Sequence, residues 1–393
     1  MVMEKVVIAS AARTPVGSFQ GALSQLAAPK LGAIAIKEAL TRAQVKSEEV
    51  QECIMGEVLT AGVGQAPARQ AALYAGLATS TQCLTINKVC GSGLKAVMLA
   101  ADSIALGHSQ IAVAGGQESM TLAPHLLENS RTGYRMGGAQ VTDSMIKDGL
   151  WDPYNNWHMG NAAELCVKEY QFTREQQDQF AVDSYKKAQA STQNGVFKAE
   201  IVPVEIQDKK GTVLIDQDED PFKTNFEKVP SLKPAFDKAG TITAANASKI
   251  NDGAAALVLM NEKVAQTRGV KPLARVVASA TFAQDPKWFT TAPVGAIKAA
   301  LTKAGLSVDQ IDLWEINEAF ANVTMAAMKE LNIPADKVNI HGGAIAIGHP
   351  IGASGARILT TLLYALKKHS KRYGLATLCI GGGEAVALIV EAM

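Results

Sequence analysis

No stretch of the 393 residues reaches the roughly 20 uninterrupted apolar positions that a membrane-spanning helix needs, so no transmembrane segment is expected. Charge of one sign is also missing. The 38 Lys and Arg stand against 37 Asp and Glu, a formal net of +1, which argues against a dedicated nucleic-acid surface. Cysteine is sparse and scattered: Cys53, Cys83, Cys90, Cys166 and Cys379 form no Cys-x-x-Cys, and no histidine pair stands at metal-ligand spacing. A structural zinc site is therefore not expected, and an odd, dispersed set of thiols fits a reducing compartment. The first residues pass at once into an apolar strand-like run, with no room for a leader, and Val390-Glu391-Ala392-Met393 carries no retention or peroxisomal address. A cytoplasmic location is the expectation.

What is present is a large globular chain, 48% hydrophobic and 19% charged, long enough for two or three domains around a sizeable core. Residues 4–10 read as a strand broken by Arg13-Thr14-Pro15, and Leu31, Ile34, Ala35 and Ala39 mark a helix over 29–43. Residues 50–58 return to strand and 66–75 to helix. A strand at 83–87 then enters a tight turn at Cys90, a helix leaves it, and a strand at 111–114 closes on Gly115-Gly116-Gln117-Glu118. Such alternation predicts a sheet with helices on its faces.

The order returns near the carboxyl end. Leu40-Thr41-Arg42-Ala43 recurs as Leu301-Thr302-Lys303-Ala304, and Gly91-Ser92-Gly93-Leu94-Lys95 as Ala353-Ser354-Gly355-Ala356-Arg357, both about 260 residues on. Ala114-Gly115-Gly116 is matched to Gly381-Gly382-Gly383 at a slightly longer offset. The chain thus reads as two similar halves, residues 1–120 with 250–270 and residues 271–393, separated by an insertion at 121–249. Within the insertion, 128–143 is an extended excursion rich in Gly, Arg, Thr and Asn. Helices are expected at 161–170 and 174–193, the second with Thr173 and Gln176 as a capping box, and the charged stretch 208–220 reads as a solvated turn. An insertion over the mouth of a doubled α/β core is placed to act as a substrate lid.

Chemistry concentrates at a few turns. Cys90 stands just before a helix, with Gly91 and Gly93 permitting a sharp bend, and a helix N-terminus favours thiolate over thiol. The alternative is a buried structural thiol. Asn317, in Asn317-Glu318-Ala319-Phe320 after a strand at 311–314, either holds a water or a developing oxyanion or caps the next helix. His349 lies in the glycine-rich run 341–355 and is structural unless a partner is found for it. Cys379 ends a buried strand at Gly381-Gly382-Gly383, a turn whose amides are free to point into a cavity. Two cysteines and a histidine converging from strand ends supply a nucleophile, a base and a second acid/base, with the glycine-turn amides as oxyanion donors.

The segments around Cys90, Asn317, His349 and Cys379 resemble the thiolases, in the right order and across essentially the whole chain, insertion included. His158-Met159-Gly160 is similar to the short-chain, biosynthetic branch, where chain-shortening members usually carry another residue in place of the histidine. The resemblance implies an α/β, five-layered αβαβα fold of two duplicated halves with an inserted lid domain. It implies transfer of an acetyl unit between two molecules of acetyl-CoA to give acetoacetyl-CoA and CoA, and the reverse thiolysis. Cys90 would be acylated after His349 helps remove its proton, and Cys379 would exchange the C2 proton of the second acetyl unit. His349 and a water on Asn317 would hold the enolate oxygen, and the amides of Cys90 and Gly381 the acyl oxygen. His158, Met159, Phe236, Ser248, Ala319 and Phe320 would line the coenzyme A and acyl channel. Members of the family can carry an arginine near the adenine site, where this chain has only Lys223. No metal and no organic cofactor is implied, coenzyme A thioesters being substrates. The implied assembly is a homotetramer, a dimer of dimers tied together by the 128–143 excursion. Rival readings are a 3-ketoacyl-CoA thiolase of broader chain length and a catalytically silent, thiolase-like lipid-binding protein.

Overall fold

A run of buried residues, Val6–Arg13, makes the first strand (β1). It runs beyond the expected residues 4–10 to Arg13, the first residue of the expected break, which is neutralised inside the fold, donating to Glu200 at 2.6 Å and to Asp218 at 2.7 and 2.9 Å. Helix α1 (Ala28–Ala43) starts with Pro29 in its first turn, buries Leu31, Ala35, Ile36 and Ala39, and ends on Gln44 in the left-handed region. Then follow β2 (Glu52–Gly56), α2 (Pro67–Tyr74), β3 (Gln82–Ile86), α3 (Ser92–Ala105) and β4 (Ile111–Ser119). The last of these corrects the expectation of a short strand closing on a glycine turn. Gly115 and Gly116 are paired residues of β4, and a Cβ on Gly116 would come within 2.8 Å of Ala353 Cα, so the pair permits close approach rather than a turn.

The computed structural model describes residues 4–208 and 211–393. Between β4 and the returning strand lie α4 (Met159–Tyr170) and α5 (Arg174–Gln193), the latter with the expected Thr173/Gln176 capping box. The charged stretch read as a solvated turn is different in kind. It takes part in a hairpin, β5 (Val204–Asp208) with β6 (Gly211–Ile215), and then turns inward. Asp218 accepts from Arg13 and from the Val16 amide, and Asp220 accepts from Ser18 and from Asn251 Nδ2 at 2.7 Å. Buried donors of the first half drew these carboxylates in. Lys209 and Lys210, within the same stretch, lie outside the described residues.

Strand β7 (Asn251–Asn261) completes the first half, and the second runs β8 (Ala274–Ala283), α6 (Ala292–Ala304), β9 (Leu313–Ile316), α7 (Ala321–Leu331), α8 (Ile351–Lys368), β10 (Tyr373–Ile380) and β11 (Glu384–Ala392). The strands order as β9-β10-β11-β8-β1-β7-β4-β2-β3, so that β9-β10-β11-β8 mirrors β2-β4-β7-β1 across the β8–β1 junction and β3 adds an outer edge to the first half. In each half one antiparallel and one parallel pairing flank the equivalent strand, β4 in the first and β10 in the second. The proposed match of Gly115-Gly116 to the glycine turn at 381–383 is therefore corrected. The equivalent of β4 is β10, and Gly381-Gly382-Gly383 forms the turn after it.

Three apolar cores separate five layers. One gathers α1 and α2 against the first half-sheet, and another α6 and α7 against the second. The third lies between the half-sheets and holds α3 and α8. Nearly every residue of α8 is buried, as a helix covered on all sides requires. The two central helices touch through glycine: a Cβ on Gly93 would sit 2.8 Å from Ala356 N, and one on Gly355 within 2.7 Å of Leu94 Cβ. This crossing brings the turns before α3 and α8 side by side.

Candidate active site

Cys90 sits two residues before α3, in a turn built mainly by its neighbours. Val89 takes φ 45°, an uncommon left-handed conformation for a β-branched residue, and it is this residue rather than Gly91 that makes the bend. Asn87 Oδ1 accepts the Val89 amide at 2.9 Å, and Ser92 Oγ accepts the Lys88 amide at 2.8 Å while donating to Val89 O at 2.7 Å. Gly91 is needed because Ile380, the residue after Cys379, occupies the space of a side chain there. The turn therefore rests on the end of β10. Burial pushes the Cys90 thiol up to about 11, opposed by the Gly381 amide hydrogen-bonded to its sulfur. The thiolate expected from the helix terminus alone is thus overridden by desolvation, and the resting nucleophile is a thiol that needs a base.

Cys379, buried, stands last but one in β10, and burial followed by the proximity of Cys90 pushes its thiol up as well. It packs with Met159, Ala319 and Phe320 in one apolar cluster. Met159 also approaches Gly381, its Cε lying 3.6 Å from where a Cβ would stand. On the other side His349 is held by three fixtures. Gly348, at φ 117°, turns the chain so that the His349 amide donates to Asn251 Oδ1 at 2.9 Å. Ser354 Oγ lies 2.6 Å from His349 Nδ1 and itself donates to Pro350 O at 2.8 Å. With that hydroxyl proton committed, Nδ1 carries the hydrogen and donates to Ser354, leaving Nε2 as the lone-pair nitrogen. Among the described residues Nε2 has no partner, and burial, with Arg357 second, pushes the imidazole down to about 3. A neutral base results.

Asn317 follows β9 directly, since that strand spans Leu313–Ile316 rather than the expected 311–314. Its backbone amide donates to Thr377 O at 3.0 Å, while both polar atoms of its side chain are buried without a partner among the described residues. It caps no helix: α7 starts later, behind Phe320. Glu318 is structural, accepting from Ser184, Asn339 and the Ile345 amide and so pinning the loop that leads to His349.

A cavity of about 490 Å³ reaches His349 and is lined also by His158, Phe236, Ser248 and Phe320, whereas Cys90, Cys379 and Asn317 do not line it. His158 caps α4 through Nδ1, which accepts the Gly160 amide at 3.1 Å, so its Nε2 carries the hydrogen. Burial pushes this imidazole down, and its ring stacks on Phe236 at 4.7 Å. Phe236 in turn meets Phe320 edge-on at 5.9 Å. Met159 and Ala319, expected in the channel, stand behind this wall in the cluster around Cys379. The polar part of the lining is Ser18, Asp220, Lys223 and Lys249. Sequence reasoning missed Ser354, Asn251 and Glu118. The last, buried and pushed up to about 7, accepts from the Val58, Leu59 and Gly352 amides, tying the first half to the first turn of α8. Its one sequence signal is a carboxylate at the end of an otherwise apolar strand.

Comparison with known proteins bears on the whole chain. The family description "Thiolase, N-terminal domain" matches residues 6–263 and "Thiolase, C-terminal domain" residues 270–392. An acetyl-CoA acetyltransferase of Cupriavidus necator is 55% identical across 99% of this chain and all of its own length. One of Escherichia coli K12 is 52% identical, covering 99% of both chains. A solved thiolase of Ascaris suum in complex with coenzyme A superposes with a TM-score of 0.95 at 45% identity, over 99% of this chain and all of that one.

Proposed function

The chain belongs to the thiolase family, and from that membership and its site we propose that it catalyses acetyl-CoA C-acetyl transfer, condensing two acetyl-CoA to acetoacetyl-CoA and CoA, and the reverse thiolysis. The observation that carries the reading is a free, lone-pair Nε2 on His349 in a site where both thiols are held protonated by burial. His349 takes the Cys90 proton as its sulfur attacks the thioester carbonyl, and CoA leaves from acetyl-Cys90. The acyl oxygen sits against the amides of Cys90 and Gly381. The departing CoA sulfur takes the Cys379 proton, and the Cys379 thiolate so formed removes a C2 proton from a second acetyl-CoA, whose enolate oxygen is held by His349 and a water on the unpartnered Asn317 side-chain amide. The carbanion attacks acetyl-Cys90 and frees the product. The proposed chemistry draws on no metal or organic cofactor.

The cavity suits a thioester with a long polar handle. His158, Phe236 and Phe320 form an apolar slot, Ser248 lies on its wall, and Lys223 and Lys249 offer positive charge to phosphates. Met159, filling space behind the slot, limits the acyl group to a short chain. Several exposed apolar side chains on or beside the 128–143 excursion, Leu127, Tyr134, Val141 and the 98% exposed Met136, support a homotetramer in which this strap meets a second dimer. Sedimentation at four times 41.4 kDa is the expected result, and a monomer would remove that part of the reading. No helix among the described residues is long and apolar enough to cross a membrane. A cytoplasmic location belongs to the same proposal.

The test of the reaction is steady-state thiolysis of acetoacetyl-CoA beside 3-ketohexanoyl-CoA and 3-ketodecanoyl-CoA. Turnover of the four-carbon substrate alone, abolished by iodoacetamide, supports the short-chain assignment. Equal turnover of all three assigns a broader chain length, and none of any contradicts the reaction itself.

A further inference from the structure

Two thiols outside the active site face each other across neighbouring strands. β2 and β3 are parallel and in register, with Cys53 directly opposite Cys83. Opposed residues of adjacent strands point to the same face, and both side chains join the core beneath α1 and α2, Cys53 fully buried and Cys83 half-buried. A strand spacing of about 4.8 Å lies inside the roughly 4.4–6.8 Å Cα separation that a disulfide spans.

The surroundings of the two sulfurs differ in a way that assigns roles. Arg69, on α2, is anchored to the chain just before β3, with Nη2 donating to Thr79 O at 2.7 Å and Nη1 to Thr81 O. From there Nη1 lies 3.8 Å from Cys83 Sγ. Among the described residues no cation stands beside Cys53, whose thiol faces Cys83 as a donor, while Cys83 Sγ also lies 3.5 Å from Thr81 O. The Cys53 hydrogen bond first, and the Arg69 guanidinium after it, pull the Cys83 thiol down to about 6 against its own burial, whereas burial pushes Cys90, Cys166 and Cys379 up.

We propose that Cys83 and Cys53 form a peroxide-sensitive dithiol, in which Cys83 is the attacking sulfur, held by Arg69, and Cys53 is the resolving one. The Cys83 thiolate attacks a hydroperoxide, a sulfur–oxygen bond forms as the O–O bond breaks, and the leaving oxygen departs as water or alcohol, taking from solvent the proton that Cys83 gave up on ionising. Cys53 sulfur then attacks Cys83 sulfur, the S–O bond breaks, and the hydroxide leaves as water with the Cys53 proton. Two thiols lose two electrons, and the peroxide gains them. The bridge would staple β2 to β3, the strands that run on to Glu57 and to the Cys90 turn.

Full-length protein treated with hydrogen peroxide, blocked with N-ethylmaleimide and cut with trypsin tests this, because cleavage at Arg69 separates the two cysteines onto different peptides and the map reports Cys90 and Cys379 independently. The expected result is a Cys53–Cys83 cross-linked peptide that dithiothreitol resolves, with Cys166 unoxidised. At pH 7, iodoacetamide labels Cys83 at least about tenfold faster than Cys53 or Cys166. In Cys53→Ala, dimedone captures a sulfenic acid on Cys83. Absence of the cross-link in the wild-type protein, or labelling of Cys83 no faster than Cys166, overturns the proposal whether or not the variant folds. Because every readout is a peptide mass, the outcome is independent of the catalytic assignment.

Discussion

The two halves place different residues at matching points of one fold, and the contrast explains the site. Cys90 stands two residues before α3 and His349 two before α8. Glu57 follows β2 as Asn317 follows β9, and Glu118 and Cys379 each hold the last position but one of β4 and β10, opposite Gly253 and Ala385 in equivalent ladders. In the first half two of these three positions carry buried carboxyl groups. Glu118 accepts three backbone amides, and Glu57 accepts Gln117 Nε2 at 2.6 Å. In the second half the same two positions carry Asn317, whose side-chain polar atoms are left unpartnered, and Cys379. Duplication supplied two similar sites. One became a brace and the other kept its reactive groups free, with Cys90 crossing from the braced half to meet them.

Variants at the paired positions break or sharpen this contrast. Cys90→Ala is expected to cut thiolysis of acetoacetyl-CoA by at least about 10⁴-fold, read from steady-state rates with CoA. Its partner by symmetry, His349→Ala, leaves the Cys90 thiol protonated without a base, and the expected loss is about 10²–10⁴-fold, with activity recovering toward high pH as the thiol ionises unaided. Ser354→Ala removes only the partner that fixes the His349 tautomer. About a tenfold fall in kcat is expected with little change in KM, and an unchanged kcat would contradict the tautomer assignment. Glu118→Gln removes a charge that pushes Cys90 up, so iodoacetamide labelling of Cys90 at pH 8 should quicken about threefold while turnover falls. Slower labelling would mean the brace acts by shape alone.

The smallest effect is on stability. Burial raises Glu57 to about 8, Glu118 to about 7 and Glu315 to about 8, so the folded protein holds more protons than the unfolded chain from about pH 4.5 up to those values. The stability these groups contribute is complete at low pH and is lost as pH rises through 7–8. His349, lowered to about 3, acts oppositely, but only below about 6.5. Above pH 6.5 the three carboxyls are opposed by one group, Cys83, which is lowered to about 6 and so adds stability as pH rises toward its unfolded value, and the carboxyls outweigh it. A fall in Tm of about 2–6 °C between pH 6.5 and 8.5 is expected in a thermal melt, and a flat profile would show those carboxyls ionised at rest.

Much of this was legible in the sequence, and what was not has physical causes. The helices were readable because Leu31, Ala35 and Ala39 or Thr173 and Gln176 act within one or two turns. Cys90, His349, Cys379 and Asn317 were readable because each sits at a strand or helix end beside glycine or a turn. Long-range electrostatics was not. Asp218 and Asp220 look like solvated charge until Arg13, Ser18 and Asn251 are seen to need acceptors. Nor was the state of Cys90: a helix terminus argues for thiolate, and only the packed site shows that burial wins. Glycine spacing misled at Gly115-Gly116, where the residue serves close contact with α8 rather than a turn.

The most direct measurement is peptide mass analysis of Cys379→Ala after incubation with acetyl-CoA alone, with acetoacetyl-CoA assayed in the same tube. The division of labour between the two thiols predicts one acetyl group on the Cys90 peptide and essentially no acetoacetyl-CoA. An unmodified Cys90, or product formed at the wild-type rate, would contradict it.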